Sequence, residues 1–142
     1  MSGEVASSGT PLGHGPTSGR ADANQPFSPR QLARIDEALT LSSRETGFTF
    51  SVYVGALAEP SRASAESLFE KLATEADGAV LIAVSPGQRK LHIVTGETSA
   101  ARLPNRACAL AALGMRAAFA NGDLTGGIVT GLRMLADAAG RS

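Results

Sequence analysis

Residues 79–84 read AVLIAV, six apolar residues in succession that end at the turn sequence Ser85-Pro86-Gly87. A strand that is apolar on both faces is typical of the interior of a sheet that is covered on two sides. We therefore expect this segment to be an interior strand with helices packed on both faces of its sheet.

The neighbouring segments predict the rest of the sheet. Residues 48–54 alternate apolar and polar side chains with a period of two, which indicates a strand with one apolar face. Residues 65–76 place apolar side chains on one face of a helix, so the two strands should form a right-handed, parallel βαβ unit. A third strand at 91–95 follows a loop too short for a crossover helix, and it should pair antiparallel with the second strand.

A helix is expected before the first strand. Ser28, Pro29 and Gln31 have the form of a capping box with proline at the first helical position. Phe27 precedes this box, and Gly47 is a suitable end for the helix. The folded part of the chain should therefore begin near Phe27.

The C-terminal part of the chain is predicted to be helical. A helix that begins at Pro104 has so few polar positions that we expect it to be mostly buried. Asp123 can cap the next helix, in which Gly127 and Gly131 lie one turn apart and let another helix approach closely. The order α-β-α-β-β-α-α predicts an α/β fold, a three-layer α/β/α sandwich with a small mixed sheet.

The first 26 residues differ from the rest. They hold almost no large apolar side chain, so we expect residues 1–26 to be a disordered N-terminal tail and 27–142 to be one domain. The tail lacks the apolar stretch of a signal peptide, and no later segment is long and apolar enough to span a membrane. The sequence therefore predicts a cytoplasmic protein with no membrane span.

Composition excludes several classes of function. The chain has 13 Lys+Arg and 13 Asp+Glu, whereas proteins that bind nucleic acid usually carry a large basic excess, so no nucleic-acid partner is expected. One cysteine excludes an internal disulfide framework, and together with two histidines it leaves almost nothing for a structural zinc site. No dinucleotide, phosphate-loop or nucleophile-elbow motif occurs, and no cofactor is expected.

His92 and Cys108 each have two interpretations. His92 should face the same side of its strand as Val94, either as a general acid or as a helix-covered histidine that is hydrogen-bonded for structure. Cys108 lies among apolar neighbours and is either a nucleophile supported by Arg106 or an inert buried thiol. We favour the structural interpretation of both residues.

The carboxyl ends of the two parallel strands are the usual place to look for a site in an α/β fold. These strands should end at Gly55 and Ser85, and Glu59, Arg89 and Lys90 follow them. Polar side chains are therefore available at this edge of the sheet.

The opposite edge offers a sharper set of residues. Asp77, Glu97 and Asp123 can jointly offer oxygen ligands to calcium or magnesium, with Arg102 and Asn105 within reach as phosphate ligands. The alternative is that these acidic residues only cap helices and face solvent, and we favour that alternative.

A series of short motifs runs in order through two thirds of the chain. They are GAVLIAVS at 78–85, QRKLHIVTG at 88–96, LP at 103–104, Phe119, GDL at 122–124, GG at 126–127 and GL at 131–132. Through this series the stretch 50–140 resembles the TPM-domain family, in particular an uncharacterised bacterial branch of it. The resemblance implies an α/β/α sandwich. Since a thylakoid-lumen member is described as an acid phosphatase with bound calcium, it also implies phosphatase activity.

The chain departs from the wider family in two ways. Typical members carry a Gly-x-Gly turn after the third strand, whereas Gly96-Glu97-Thr98 keeps only the first glycine. Many members are exported or membrane-anchored, whereas this sequence shows neither a signal peptide nor a C-terminal anchor. These departures do not support an extracytoplasmic role or a ligand site at that turn.

Two functions follow from these observations. The first is a non-catalytic module that binds a protein partner or a small ligand, because the residues give no converging catalytic set. The second is a divalent-metal-dependent phosphomonoesterase of the acid-phosphatase type, with Asp77, Glu97 and Asp123 around the metal and Arg102 as the phosphate clamp. We favour the first.

Overall fold

The computed structural model describes residues 3–7, 27–72 and 78–140. Its elements are β1 (Gly3–Ser7), α1 (Pro29–Thr46), β2 (Thr49–Gly55), α2 (Ser61–Leu72), β3 (Ala79–Ser85), a short 3-10 helix (Pro86–Gln88), β4 (Lys90–Thr95), α3 (Glu97–Arg102), α4 (Asn105–Ala120) and α5 (Leu124–Ala139). No helix among these residues is long and apolar enough to cross a membrane.

The sheet has a parallel centre and antiparallel edges. In the described part of the chain its strand order is β1-β2-β3-β4. β2 and β3 are parallel, with Val52 beside Ile82, and β4 runs antiparallel to β3, with Ile93 beside Ile82. All seven residues of β3 are buried, as the unbroken apolar run predicts.

Helices cover both faces of this sheet, which confirms the predicted three-layer α/β/α sandwich. On one face, side chains from β2 and β3 such as Phe50 and Ile82 pack with buried residues of α1, α4 and α5, among them Leu39, Met115 and Leu132. In the described part of the chain, the other face packs against α2 through a smaller cluster. Its buried members are Tyr53, Leu57, Ala65, Phe69, Ala79, Leu81, Ala83 and Val94.

The first helix starts and ends where the sequence predicts. The Ser28 side chain accepts a hydrogen bond from the Gln31 backbone N–H (3.2 Å), and the Gln31 side chain accepts one from the Ser28 N–H (2.8 Å). At the other end Gly47 has φ 81°, a left-handed conformation that glycine adopts without strain, and its N–H donates to the Ser43 carbonyl.

Two elements were missed by the sequence analysis, and one of them corrects the predicted tail. Residues 3–7 form strand β1, which pairs antiparallel with β2 and places Val5 beside Tyr53. The prediction of a disordered tail is therefore wrong for residues 3–7, while 8–26 lie outside the described residues. The second missed element is the six-residue helix α3 between β4 and α4.

Helix α4 is less buried than its composition suggests. Only Ala111 and Met115 are buried among its residues, so the expectation of a mostly buried helix is wrong. One side of α4 packs against α5, where the predicted close approach is confirmed. A Cβ atom added at Gly127 would lie 2.5 Å from Phe119 Cε1, and one added at Gly131 would lie 2.7 Å from Met115 Cγ.

Candidate functional site

Two of the three residues proposed for a metal lie at the starts of different helices. Glu97 is exposed in the first turn of α3. Asp123 is the N-cap of α5, and its carboxylate accepts a hydrogen bond from the Gly126 N–H at 2.8 Å. Asp77 lies outside the described residues. Across residues 3–7, 27–72 and 78–140, no three His, Cys, Asp or Glu side chains are grouped so that they could hold a metal ion. The calcium or magnesium site that includes Asp77 stays a prediction.

Arg102 is a link between the ends of two helices. Its guanidinium donates from Nη1 to the Thr46 carbonyl (2.8 Å) and from Nε to the Ala139 carbonyl (3.1 Å), and a third bond reaches the Gly140 carbonyl. The guanidinium carbon also lies 4.4 Å from the centroid of the Phe48 ring. Because the last carbonyls of a helix lack intrahelical partners, these contacts stabilise the C-terminal ends of α1 and α5. They give Arg102 a structural role, and phosphate binding by Arg102 stays a prediction.

Asn105 is the first residue of α4 and is exposed. Pro104 precedes it as the N-cap residue and has no side-chain donor or acceptor. The position of Asn105 at the start of α4 does not require it to bind a ligand. The assignment of Asn105 to phosphate therefore also stays a prediction.

His92 forms the main polar pair beneath α2. It lies on the face of β4 that α2 covers, and its Nε2 is 2.8 Å from the hydroxyl of Ser61, the buried first residue of α2. This contact supports the structural interpretation of His92. Burial lowers the pKa of His92, and the positive charges of Arg62, Lys90 and Arg116 lower it further against the opposing charge of Glu66.

Sequence reasoning did not identify Ser61 as the partner of His92. The two residues are 31 positions apart and belong to elements on different layers of the fold. The one available signal was the position of Ser61 directly after Pro60, where a helix can begin.

Gln88 holds together the two loops at the carboxyl ends of the parallel strands. Its side-chain carbonyl accepts from the Leu57 N–H (2.9 Å) and from the Ser85 hydroxyl, and its amide group donates to the Leu57 carbonyl (2.9 Å) and to Glu59 (3.3 Å). The sequence predicted polar side chains at this edge, and the structure brings Glu59 and Ser85 together through Gln88. Because the polar groups of this cluster form hydrogen bonds with one another, the cluster holds the two loops in place.

Cys108 is half-buried and lies on α4. Burial raises the pKa of its thiol, and the charge of Arg62 opposes this only as a smaller effect. The thiol contacts the Leu103 carbonyl at 3.8 Å. A thiol with a raised pKa is a poor nucleophile at neutral pH, which supports the interpretation of Cys108 as an inert residue.

The outer side of α4 is an exposed surface of unusual composition. Five exposed residues follow one another at intervals of four and three, and we call them the α4 stripe: Arg106, Leu110, Leu113, Ala117 and Ala120. Leu110 is 52% exposed and Leu113 is 64% exposed, which makes them the most exposed of the large hydrophobic side chains in the described residues. Sequence periodicity could not separate this stripe from the buried side of α4, because both sides are apolar.

The His92 pair predicts a dependence of stability on pH. The folded protein releases the His92 proton more readily than the unfolded chain, whose histidine has an ordinary pKa of about 6.5. As the pH falls through about 6.5, the unfolded state therefore binds more protons and the free energy of unfolding decreases. Urea unfolding between about pH 7.5 and 5 should show a larger loss for the wild-type protein than for His92→Gln. Parallel curves for the two proteins would contradict this prediction.

The fold and its polar contacts define a three-layer α/β/α domain, and solved structures share this architecture. One is the NMR structure of BA42 from the psychrophilic bacterium Bizionia argentinensis, with a TM-score of 0.74, 16% identity, and coverage of 84% of this chain and 86% of that one. Another is the N-terminal domain of a protein from P. gingivalis, with a TM-score of 0.69, 16% identity, and coverage of 79% and 75%. At this identity the likeness concerns the fold alone.

The chain belongs to the family described as "Domain of unknown function (DUF5130)", whose model matches residues 2–136. It is similar to the uncharacterized protein Rv2468c of Mycobacterium tuberculosis strain H37Rv, with 34% identity over 117 residues, 82% of this chain and 70% of that protein. The uncharacterized protein MT2543 of strain CDC 1551 matches to the same extent. The segment that the family model matches, residues 2–136, includes the α4 stripe and the Ser61 and His92 pair.

Proposed function

We propose that this domain is a non-catalytic module that binds a partner molecule through its surface. The observation that carries the proposal is the α4 stripe, in which two large aliphatic side chains, Leu110 and Leu113, are more than half exposed. Contiguous exposed apolar surface on a folded domain often marks a place where another molecule binds. The polar residues support the same proposal, since Arg102, Asp123 and Gln88 make contacts that stabilise the fold itself.

The alternative is a metal-dependent phosphomonoesterase. It is favoured by the motif series that resembles the TPM-domain family and by the placement of Glu97 and Asp123 at helix starts. Its metal would be calcium or magnesium on Asp77, Glu97 and Asp123, and its phosphate ligands would be Arg102 and Asn105. Kinship with the TPM-domain family is itself a proposal that rests on the motif series.

The partner and the compartment are part of the same proposal. We propose a protein or a small ligand as the partner and exclude nucleic acid, because the charges of the chain balance. We also propose a cytoplasmic location for the domain.

Two measurements on the full chain test the proposal against the alternative. Amide shifts should be recorded while calcium, magnesium and inorganic phosphate are added, and hydrolysis should be measured with a panel of phosphomonoesters. We expect no turnover above the buffer rate and no cluster of shifts at residues 95–106.

A matched pair of variants gives the result that would overturn the proposal. Asp123→Asn removes a carboxylate but keeps a good N-cap residue, and Asp137→Asn removes an exposed carboxylate on α5. Turnover that requires calcium or magnesium and is lost in Asp123→Asn but kept in Asp137→Asn would establish the phosphomonoesterase instead.

A further inference from the structure

Helix α4 has two apolar sides, of which only one is used by the fold. The inner side contributes Ala111 and Met115 to the core and packs against Gly127 and Gly131 of α5. The outer side is the α4 stripe, whose five residues are all exposed. A helix that only covers a core carries polar residues on its outer side, so the aliphatic residues of the stripe need another explanation.

The spacing of the stripe is that of a helix-to-helix contact. Intervals of four, three, four and three residues between positions 106 and 120 give an average period of 3.5 residues. This is the period at which the a and d positions of a coiled coil keep facing a partner helix. The stripe extends over about 21 Å at 1.5 Å per residue, which matches two heptads of a partner helix. Ala117 and Ala120 are small and allow a close approach at one end.

The charged residues of helix α4 itself have one sign. Arg106 and Arg116 are the only charged residues of α4, and both are exposed. Arg116, Arg62 of α2 and Lys90 of β4 are all close enough to His92 for their positive charges to lower its pKa. The acidic residue in this group, Glu66, forms a salt bridge with Arg62 at 3.1 Å. The stripe therefore carries only positive charge on its own helix, and the acidic Asp123 lies beyond its C-terminal end.

From these observations we propose that the α4 stripe binds an amphipathic helix of another protein, whose apolar seam is flanked by aspartate and glutamate. This inference rests on the proposed function and adds the class of partner. Leu110 and Leu113 would pack into the seam of the partner, and the acidic flanks would pair with Arg106 and Arg116. Complementary charge beside an apolar seam selects the partner and its orientation.

A second copy of this chain fits the stripe poorly. If two α4 helices packed antiparallel about the midpoint of Leu110 and Leu113, Arg106 of one copy would lie near Arg116 of the other. A parallel pair would place Arg106, which belongs to the stripe, close to its own equivalent. Like charges in these positions destabilise both arrangements.

The segment 8–26 of the same chain is also an unsuitable occupant. It contains a single large aliphatic residue, Leu12, together with three prolines and four glycines. Such a sequence cannot present aliphatic residues at the repeated intervals of an amphipathic helix.

The test uses two synthetic helical peptides and the full chain. Both peptides contain three heptads with leucine at positions a and d, and they carry either glutamate or lysine at positions e and g. Binding is measured by fluorescence anisotropy and mapped by amide shifts. We expect the glutamate peptide to bind at least about 10-fold more tightly than the lysine peptide, a difference of about 1.4 kcal/mol, with shifts along α4.

Three variants separate the contributions. Leu113→Glu should abolish binding of the glutamate peptide, whereas Leu41→Glu should leave it unchanged, because Leu41 is also exposed (46%) but lies on α1. Arg116→Glu should reduce the preference for the glutamate peptide by about 5-fold or more, as expected for an interfacial charge pair. Circular dichroism of each variant checks that the fold is intact.

Several outcomes would overturn this inference. Equal binding of both peptides, or binding that survives Leu113→Glu, would show that the stripe does not select an acidic helix. Sedimentation that shows a dimer of the free protein, converted to a monomer by Leu113→Glu, would assign the stripe to a second copy. Failure of the glutamate peptide to bind would remove this class of partner, whereas metal-dependent phosphomonoester turnover would reject the proposed function itself.

Discussion

Replacing Arg102 by leucine is expected to lower the free energy of unfolding by about 3 kcal/mol, because three charge-assisted hydrogen bonds to backbone carbonyls are lost. The acceptors at Thr46, Ala139 and Gly140 lie at the ends of two helices that are far apart in sequence. Leucine keeps part of the contact with Phe48 but leaves these carbonyls without the guanidinium. Urea unfolding monitored by circular dichroism measures the change.

The control for this experiment is Arg102→Lys. Lysine keeps a positive charge near the ends of α1 and α5, but its single ammonium group cannot reproduce the planar fork of arginine. The free energy of unfolding of Arg102→Lys should therefore lie between those of the wild-type protein and Arg102→Leu. If Arg102→Leu instead unfolds within about 0.5 kcal/mol of the wild-type protein, the size expected for an ordinary surface substitution, the structural role of Arg102 is wrong.

Replacing Gly131 by alanine is the second change with a large expected effect. The new Cβ atom would lie 2.7 Å from Met115 Cγ, so α4 and α5 would have to move apart or Met115 would have to change its conformation. Overpacking of this kind usually destabilises a core by about 1–3 kcal/mol, and the better helix propensity of alanine returns less than about 1 kcal/mol. We expect a net loss of about 1–2 kcal/mol in urea unfolding.

Gly114→Ala provides the matched control, because it makes the same change within a neighbouring helix. The nearest atom to its Cβ would be Met134 Sδ at 3.2 Å, which is the flexible part of a side chain. This variant should be nearly neutral. The cause of the Gly131→Ala effect can be checked by adding Met115→Ala, which removes the obstructing atoms. A double-mutant cycle with no coupling between positions 115 and 131 would contradict the steric explanation.

Local patterns explain which parts of the fold the sequence predicts. Ser28 and Gln31 cap a helix through bonds within four residues, and residues 79–84 are apolar on both sides of a strand, so both features are visible without tertiary information. Gly127 and Gly131 likewise indicate a close helix contact. Two residues without side chains, one helical turn apart, are a local pattern that the sequence shows directly.

The parts that could not be predicted depend on distant partners. Strand β1 has little β propensity of its own, and its pairing with residues 51–55 comes from the open edge of β2. Arg102 reaches carbonyls 56, 37 and 38 positions away, and Gln88 reaches Leu57 across 31 positions. The polarity of Arg102 suggested a phosphate ligand, because the sequence does not reveal which backbone groups the fold will bring beside it.

The exposed side of α4 shows a different limit. Hydrophobic periodicity identifies a helix but cannot say which of two apolar sides faces the core when both are rich in alanine and leucine. The structure resolves this through α5, whose glycines accept the side that carries Met115. The side that carries Leu113 is left outside, and it became the candidate site only when the packing was known.

The placement of β1 has a consequence for synthesis of the chain on the ribosome. β1 leaves the ribosome before β2, and β3 follows β2 by about 30 residues, which takes on the order of a few seconds at the usual rate of translation. During this interval the parallel partner of β2 does not yet exist, but its antiparallel partner does. Pairing with residues 3–7 can therefore shield one edge of the first core strand from other nascent chains until β3 arrives.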